Sequence, residues 1–487
     1  MTRFSFRKNK FGVSLVCAVL FAAVFAFVAL MSGCGGNSFT APQGFGTVMT
    51  SLSDPPTCSA PSGDFDSVYV TVRSVQAHTS ATADGNSSGW QELVPQVVSQ
   101  PVQLDLLHLP KNGQCLLSQL GSTTSLPAGD YQQIRLMLLS NQVPTGPAPL
   151  TNACASLGQV FNCVVKGGVA HTLDLNSQDI TGLKIPPGQI VGGPIHVAAG
   201  QSTDINIDFD ACRSIVSMGP MGYRLKPTLT AGQVSTSLSG ISGQIVDKTT
   251  TQPIAGALVA IEMPDNNGTD RIFMQALTDS TGHFSFCPLP IGATFDVVAD
   301  AVVGSTAYNA TVVLNVPGGT NVGAIPLIAE TGPPTGPGTI QGSVTSLNGA
   351  TGANLDVSAS AFQSVTLTSG TRPVTIPALL GSASLFNVET SNPCPDGRPA
   401  GAFCGSYSLI LPASNPNVGT FSAGTITYTA PASGDVLYQV EARASSGGTP
   451  ICSPSSLTTT KDSTNQPLKV TAGATTTASR LDFSGCS

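Results

Sequence analysis

The chain has 487 residues, of which only 10% are charged, with 20 basic against 27 acidic side chains; about 25% charged is usual for soluble domains. The net charge of −7 argues against a nucleic-acid partner, whose binding surfaces are basic. Hydrophobic residues at 41%, with 52 Gly and 36 Pro, exclude disorder throughout and suit turn-rich β structure.

At the N-terminus, Arg3, Arg7, Lys8 and Lys10 precede a nearly apolar run from Val13 to Met31, the layout of a secretory signal. A spanning helix needs about 20 apolar residues, so an uncleaved anchor and ordinary secretion are both open readings. A third comes from Leu30-Met31-Ser32-Gly33-Cys34, which resembles a bacterial lipobox, with Met31 departing from the usual Leu, Val or Ile. That resemblance implies that residues 1–33 are a cleaved lipoprotein signal peptide and that Cys34 carries lipid. The mature chain would then keep 16 basic against 27 acidic residues, a net −11. Each reading places it outside the cytoplasm, and the lipoprotein reading anchors it to the cell membrane or outer membrane.

Residues 34–43 read as a tether, and 44–232 as a first β-sandwich domain. Val68, Val70 and Val72 alternate with Tyr69, Thr71 and Arg73; Ile134, Leu136 and Leu138 repeat the pattern after the turn Leu126–Gly129. In "STDINIDFDACRSIV", Ile205, Ile207 and Phe209 are expected inward, with Asp204, Asn206, Asp208 and Asp210 on a solvated face. No long window has helical spacing. The blocks "DSVYVTVRSVQAH", "GWQEL", "VQLDLLHL", "LPAGDYQQIRLML", "INIDFDACRSIV" and "GYRLKPTLTA" together resemble the domain of unknown function forty-three eighty-two. The resemblance covers Gly44 to Ala231 and implies the first domain of a bacterial surface lipoprotein, with no known activity. Cys115, Cys154, Cys163 and Cys212 depart from its pattern.

Residues 239–329 read as a second sandwich. Gly243 and Val246 open a strand, Pro253–Ala257 connect, and Thr278–Gly282 form a turn in which Asp279 accepts backbone bonds and Gly282 takes positive φ; Phe284 and Phe286 then share a side. This stretch resembles a carboxypeptidase regulatory-like (transthyretin-like) domain, which implies an accessory module with a carbohydrate-binding-like fold and no catalytic residues. "AETGPPTGPG" makes 330–338 a stiff linker. In the C-terminal β-sandwich-like domain, 339–487, "GTIQGSVTSLNG" repeats the cadence of "SGISGQIVDKTT", and "GTITYTAPASGDVLYQVEARA" reads as a hairpin.

Motifs for catalysis are missing: no nucleophile elbow, phosphate loop, dinucleotide fingerprint or metal-type histidine pair occurs. His78, His108, His171, His196 and His283 read as solvated strand or turn residues. The acids from Asp204 to Asp210 raise the question of calcium, but alternate strand residues stand about 7 Å apart, too far to converge on one ion without loop ligands. Trp90 is the candidate ligand platform for a sugar ring; the alternative is a core-edge anchor with its ring buried and its N–H bonded. Ten cysteines remain beyond Cys17 and Cys34, and an even number outside the cytoplasm suggests disulfides. Cys394 and Cys404 bracket a Pro- and Gly-rich loop and are expected to pair, leaving Cys452 with Cys486. Cys154 and Cys163 are further candidates, while connectivity within the first domain and at Cys287 stays open.

The sequence therefore predicts an all-β chain of antiparallel sandwiches in tandem, with no cofactor and no enzymatic activity. Its expected role is a structural, adhesive or assembly one on the cell envelope, with the membrane as partner through lipid, and glycans or other envelope proteins as further partners. A carbohydrate-binding surface lipoprotein and an enzyme in the first domain are the alternatives.

Overall fold

A computed structural model describes residues 44–486 apart from 55–64, 113–114, 143–145, 176–177, 192, 218–221, 235–239, 266, 291, 331–334, 354, 368–369, 380–386, 391, 398 and 445–451. Strand makes up 58% and helix 5%, so the all-β, multi-domain reading holds. Period-two alternation is realised where it was expected. Val68, Val70 and Val72 are fully buried in the strand Ser67–His78, as are Ile134, Leu136 and Leu138 in Gln133–Leu138. These two strands pair antiparallel and face a second sheet, in which Phe45–Ser53 lies between Cys115–Pro127 and Ser202–Phe209. Val48, Leu52, Ile205, Ile207 and Phe209 of that sheet meet the valines in one core. Each such side chain contributes about 1.5–3 kcal/mol when fully buried.

Thr71, expected on the outer side of its strand, is fully buried. Its hydroxyl donates to the Phe161 carbonyl at 2.6 Å and its N–H to Asn162 Oδ1 at 2.9 Å. The cover is a segment that the Cys154–Cys163 disulfide closes.

In the second segment, Ile241–Asp247 pairs antiparallel with His283–Phe286 and parallel with Asn321–Leu327. The turn before His283 forms as its residues dictate. Asp279 Oδ1 accepts from the N–H groups of Thr281 at 2.8 Å and His283 at 2.9 Å, and Gly282 has φ 75°. A Cβ at Gly282 would stand 2.7 Å from the Ile245 carbonyl oxygen, so only glycine fits. Phe284 and Phe286 are both buried in this segment's core.

The third segment opens with Gly338–Asn348, which pairs antiparallel with Phe403–Leu411 and parallel with Thr475–Thr477 and Leu481–Phe483. The shared cadence thus has a counterpart in pairing, since each opening strand has an antiparallel neighbour on one side and parallel pairing on the other, there with one strand in the second segment and two short ones in the third. A second likeness escaped the sequence reading. Asp462-Ser-Thr-Asn465-Gln466 mirrors Asp279-Ser-Thr-Gly282-His283, with Asp462 Oδ1 accepting from the N–H groups of Thr464 and Gln466 and Asn465 at φ 65°.

Alternation could not reveal how these two segments join. One sheet runs from Thr425–Thr429 through Asn417–Ser422, Thr311–Pro317, Thr294–Asp300, Leu258–Pro264, Asp270–Leu277, Gly370–Ile376, Leu355–Leu367 and Gln439–Ala444 to Ser456–Thr459. Its four central strands belong to the second segment and both flanks to the third. The hairpin expected within "GTITYTAPASGDVLYQVEARA" is therefore corrected. Thr425–Thr429 pairs back onto Asn417–Ser422 across Ala423 and Gly424, both at positive φ, while Gln439–Ala444 joins the opposite flank.

Candidate functional site

The polar face of Ser202–Phe209 departs most from expectation. Asn206, Asp208 and Asp210 are buried rather than solvated, at 4%, 3% and 4% exposure. The strand is internal to its sheet, and the outer face of that sheet is covered at the end that carries Ser53, Asn206 and Asp208, while Met49 on the same face is exposed. Register places Ser53 between Asp208 and Leu117. Leu117 packs on the Cys115–Cys287 disulfide, which ties the first segment to the second. Ser53 Oγ donates to Asp208 Oδ1 at 2.8 Å and Asn206 Nδ2 donates to Ser53 Oγ at 2.7 Å. Beside them Asp54 accepts from the Ala211 N–H at 2.8 Å. Burial pushes the Asp54 carboxyl well above the usual range, and Asp210, Asp208 and Asp105 add to the rise. Asp208 is raised by burial and by Asp210.

These acids are sealed in packing, and among the described residues no group of three or more His, Cys, Asp or Glu is arranged to hold a metal ion. A buried carboxyl held neutral costs stability as pH rises. Its contribution is full below the unfolded value near 4 and is lost at about 1.4 kcal/mol per pH unit until the folded value is reached. Asp208→Asn is therefore expected to fold, to match wild type near about pH 4, and to exceed it by about 1 kcal/mol or more near about pH 8. Denaturant unfolding at the two pH values reads this directly.

A second charged site fills the junction of the second and third segments. Arg271 forms a fork onto Glu441, with both N···O distances 2.8 Å, and its Nε donates to Asp265 at 3.0 Å. Arg443 Nε reaches Glu441 at 3.2 Å. From the third segment, Arg372 contacts Asp296 and places Nε 2.9 Å from Asp270 Oδ2, an ion pair without hydrogen-bond alignment. Glu262 Oε2 accepts from the Thr375 N–H at 3.1 Å. Paired, forked arginines of this kind fix orientation more than they add stability.

Trp90 is half-buried. Its Nε1–H donates to the Asp84 carbonyl at 3.0 Å, the Arg135 guanidinium lies 4.2 Å above the ring centroid, and His78 meets it edge-on at 5.2 Å. One ring face is thus covered by a cation whose own N–H groups bond Gln76 and Gly85. His78 is buried, unlike the solvated residue expected. His108 and His196 are exposed beside Asp105 and Asp130, at 2.9 and 2.7 Å. His283 sits on Thr281 and His171 against Tyr223.

Disulfides join Cys154 to Cys163, Cys394 to Cys404 and Cys452 to Cys486. Cys115–Cys287, 172 residues apart, has no local sequence signal. Cys34, with the whole leader and tether, lies outside the described residues, and no helix among those described is long and apolar enough to cross a membrane.

No curated protein matches the chain. Among solved structures it is similar to the Bacillus anthracis TIE protein, at 9% identity and TM-score 0.16, covering 90% of this chain and 51% of that one. The chain thus spans about half the length of that protein. It is also similar to the shaft pilin SpaA from Lactobacillus rhamnosus GG, at 9% identity and TM-score 0.18, covering 60% of this chain and 100% of that one. GBS52, the minor pilin of Streptococcus agalactiae, follows at 12% identity and TM-score 0.15, covering 50% and 95%. At these TM-scores the likenesses carry no inference. The family match bears on the first segment: residues 45–227 match the family described as "Domain of unknown function (DUF4382)", the one its six sequence blocks resemble.

Proposed function

We propose that this is a non-enzymatic protein of the cell envelope with a structural or adhesive role, held at a membrane by lipid on Cys34. The interlock carries the reading. One sheet is built from two segments, an arginine–carboxylate junction orients them, and a disulfide fastens the first segment to the second. A body interlocked in this way suits a load-bearing role, and its disulfides suit an oxidising compartment. Among the described residues, Asp54, Asp208, Glu262, Asp270 and Asp300 are buried in packing, which supports the non-enzymatic reading. Residues 239–329 are read as a carboxypeptidase regulatory-like module, with the turn at Asp279 and Gly282 as support. Trp90 supports a sugar-binding role less well than an anchoring one, because Arg135 occupies a ring face.

Cys34→Ser is expected to move the protein wholly from the membrane to the soluble fraction, or to leave an unprocessed precursor. Fractionation and migration like wild type would favour an uncleaved anchor instead.

A further inference from the structure

The face between the second and third segments holds more acid than base. Along Thr294–Asp300, Val297 and Ala299 point into the second segment's own core, while Val298 joins that of the third. Asp296 and Asp300 share the side of Val298. Glu262 lies opposite Val259 and Ile261 on its strand and reaches Thr375. Around Glu262 and Asp270 stand the carboxyls of Asp265, Asp296 and Glu441 and the guanidinia of Arg271, Arg372 and Arg443. Five acids thus face three cations. Tyr438 lies near the carboxyls of Asp300 and Glu330. Tyr438 donates its hydroxyl to the Pro412 carbonyl, and Glu330 accepts from Ala413 and Ser414.

Acceptors also lack donors here. Glu262 Oε1, both oxygens of Asp270 and both of Asp300 are buried without a hydrogen bond, and Asp270, Glu262 and Asp300 are all at 0% exposure. An ionised carboxylate in that setting is costly, whereas a protonated one supplies the missing donor itself.

We propose that this face is a proton-held clasp, in which Glu262, Asp270 and Asp300 stay neutral acids, and that raising the pH loosens the third segment from the second. Electrostatics agree. Burial raises the Glu262 carboxyl, with Asp270 and Asp296 adding to it; burial and then Asp296 raise Asp270; burial alone raises Asp300. Folded values above the unfolded ones mean stability that is complete below the unfolded value near 4 and declines as pH rises through the folded ones. The clasp stands on this chain's own packing and is independent of the anchoring and role proposed above.

Native-state hydrogen exchange on the full chain, corrected for the intrinsic pH dependence of exchange, tests it at the Thr375 amide. From about pH 5 to about pH 9 the opening equilibrium is expected to grow by about tenfold per pH unit for each proton retained. Glu262→Gln, which preserves the acceptor for Thr375, and Asp300→Asn should each lower that slope by one tenfold step. A wild-type slope that is flat or falls with pH overturns the proposal even where a variant does not fold, and so do two folded variants that both keep the wild-type slope.

Discussion

Arg372→Ala is expected to destabilise the chain by about 3–5 kcal/mol, because it strips the cation from two carboxyls buried at 0% and 5% exposure. Those carboxyls, Asp270 and Asp296, lie on the second segment and Arg372 on the third, so the loss falls on the junction rather than on either core. The penalty has a predicted pH sign. With the guanidinium gone, the repulsion of the two carboxyls is uncompensated and the variant must bind one proton more than the wild type, a proton that the unfolded chain does not hold above about pH 4, so the cost grows as pH rises. Denaturant unfolding of wild type and variant at about pH 5.5 and about pH 8.5 reads both features. A loss under about 1 kcal/mol at the higher pH would show that the contact is ornamental. Arg372→Lys keeps the charge without the fork and should fall between the two.

Removing the Cys115–Cys287 bond by a double serine substitution should have an effect of similar size. The bond closes a loop spanning a sequence separation of 172, for which chain-entropy estimates give about 5 kcal/mol. That is a large share of the roughly 5–15 kcal/mol of a domain. The effect should appear as earlier release of the first segment from the second, since Leu117 and the two sulfurs form a cluster of their own. Limited proteolysis between the two segments, compared with calorimetry of the oxidised protein, separates release from global unfolding. Identical cleavage rates in both forms would mean that the contact around Gly232 and Pro290 holds the segments together unaided.

How much of this was legible beforehand depended on whether the determining contact is local. Val68 to Val72, Ile134 to Leu138, and the Asp279–Gly282 turn are governed by neighbours one to four residues away, and alternation and turn chemistry disclose them. The Cys394–Cys404 bracket is equally local. Asp208 is not: its strand pattern is that of a half-solvated sheet, and what meets its polar side comes from far away in sequence, as Ser53 on the neighbouring strand does. Arg372 and Asp270 lie about a hundred residues apart with no motif between them. The hairpin misreading has the same origin. Thr425–Thr429 and Gln439–Ala444 are adjacent in sequence and each alternates well, yet the sheet of another segment stands between them. The cation over the Trp90 ring had no local signal either, since Arg135 reaches it from a strand 45 residues further on.

The shared sheet also bears on the order in which the chain emerges during synthesis. The four central strands, ending with Thr311–Pro317, are made before either flank exists, so both of their edges stay open to other strands. One edge is closed by residues 417–429 and the other by residues 370–376 backed by 355–367, 439–444 and 456–459. Until more than a hundred further residues have been added, the half-made protein presents an unpaired template, and its protection depends on how quickly its own C-terminal portion arrives.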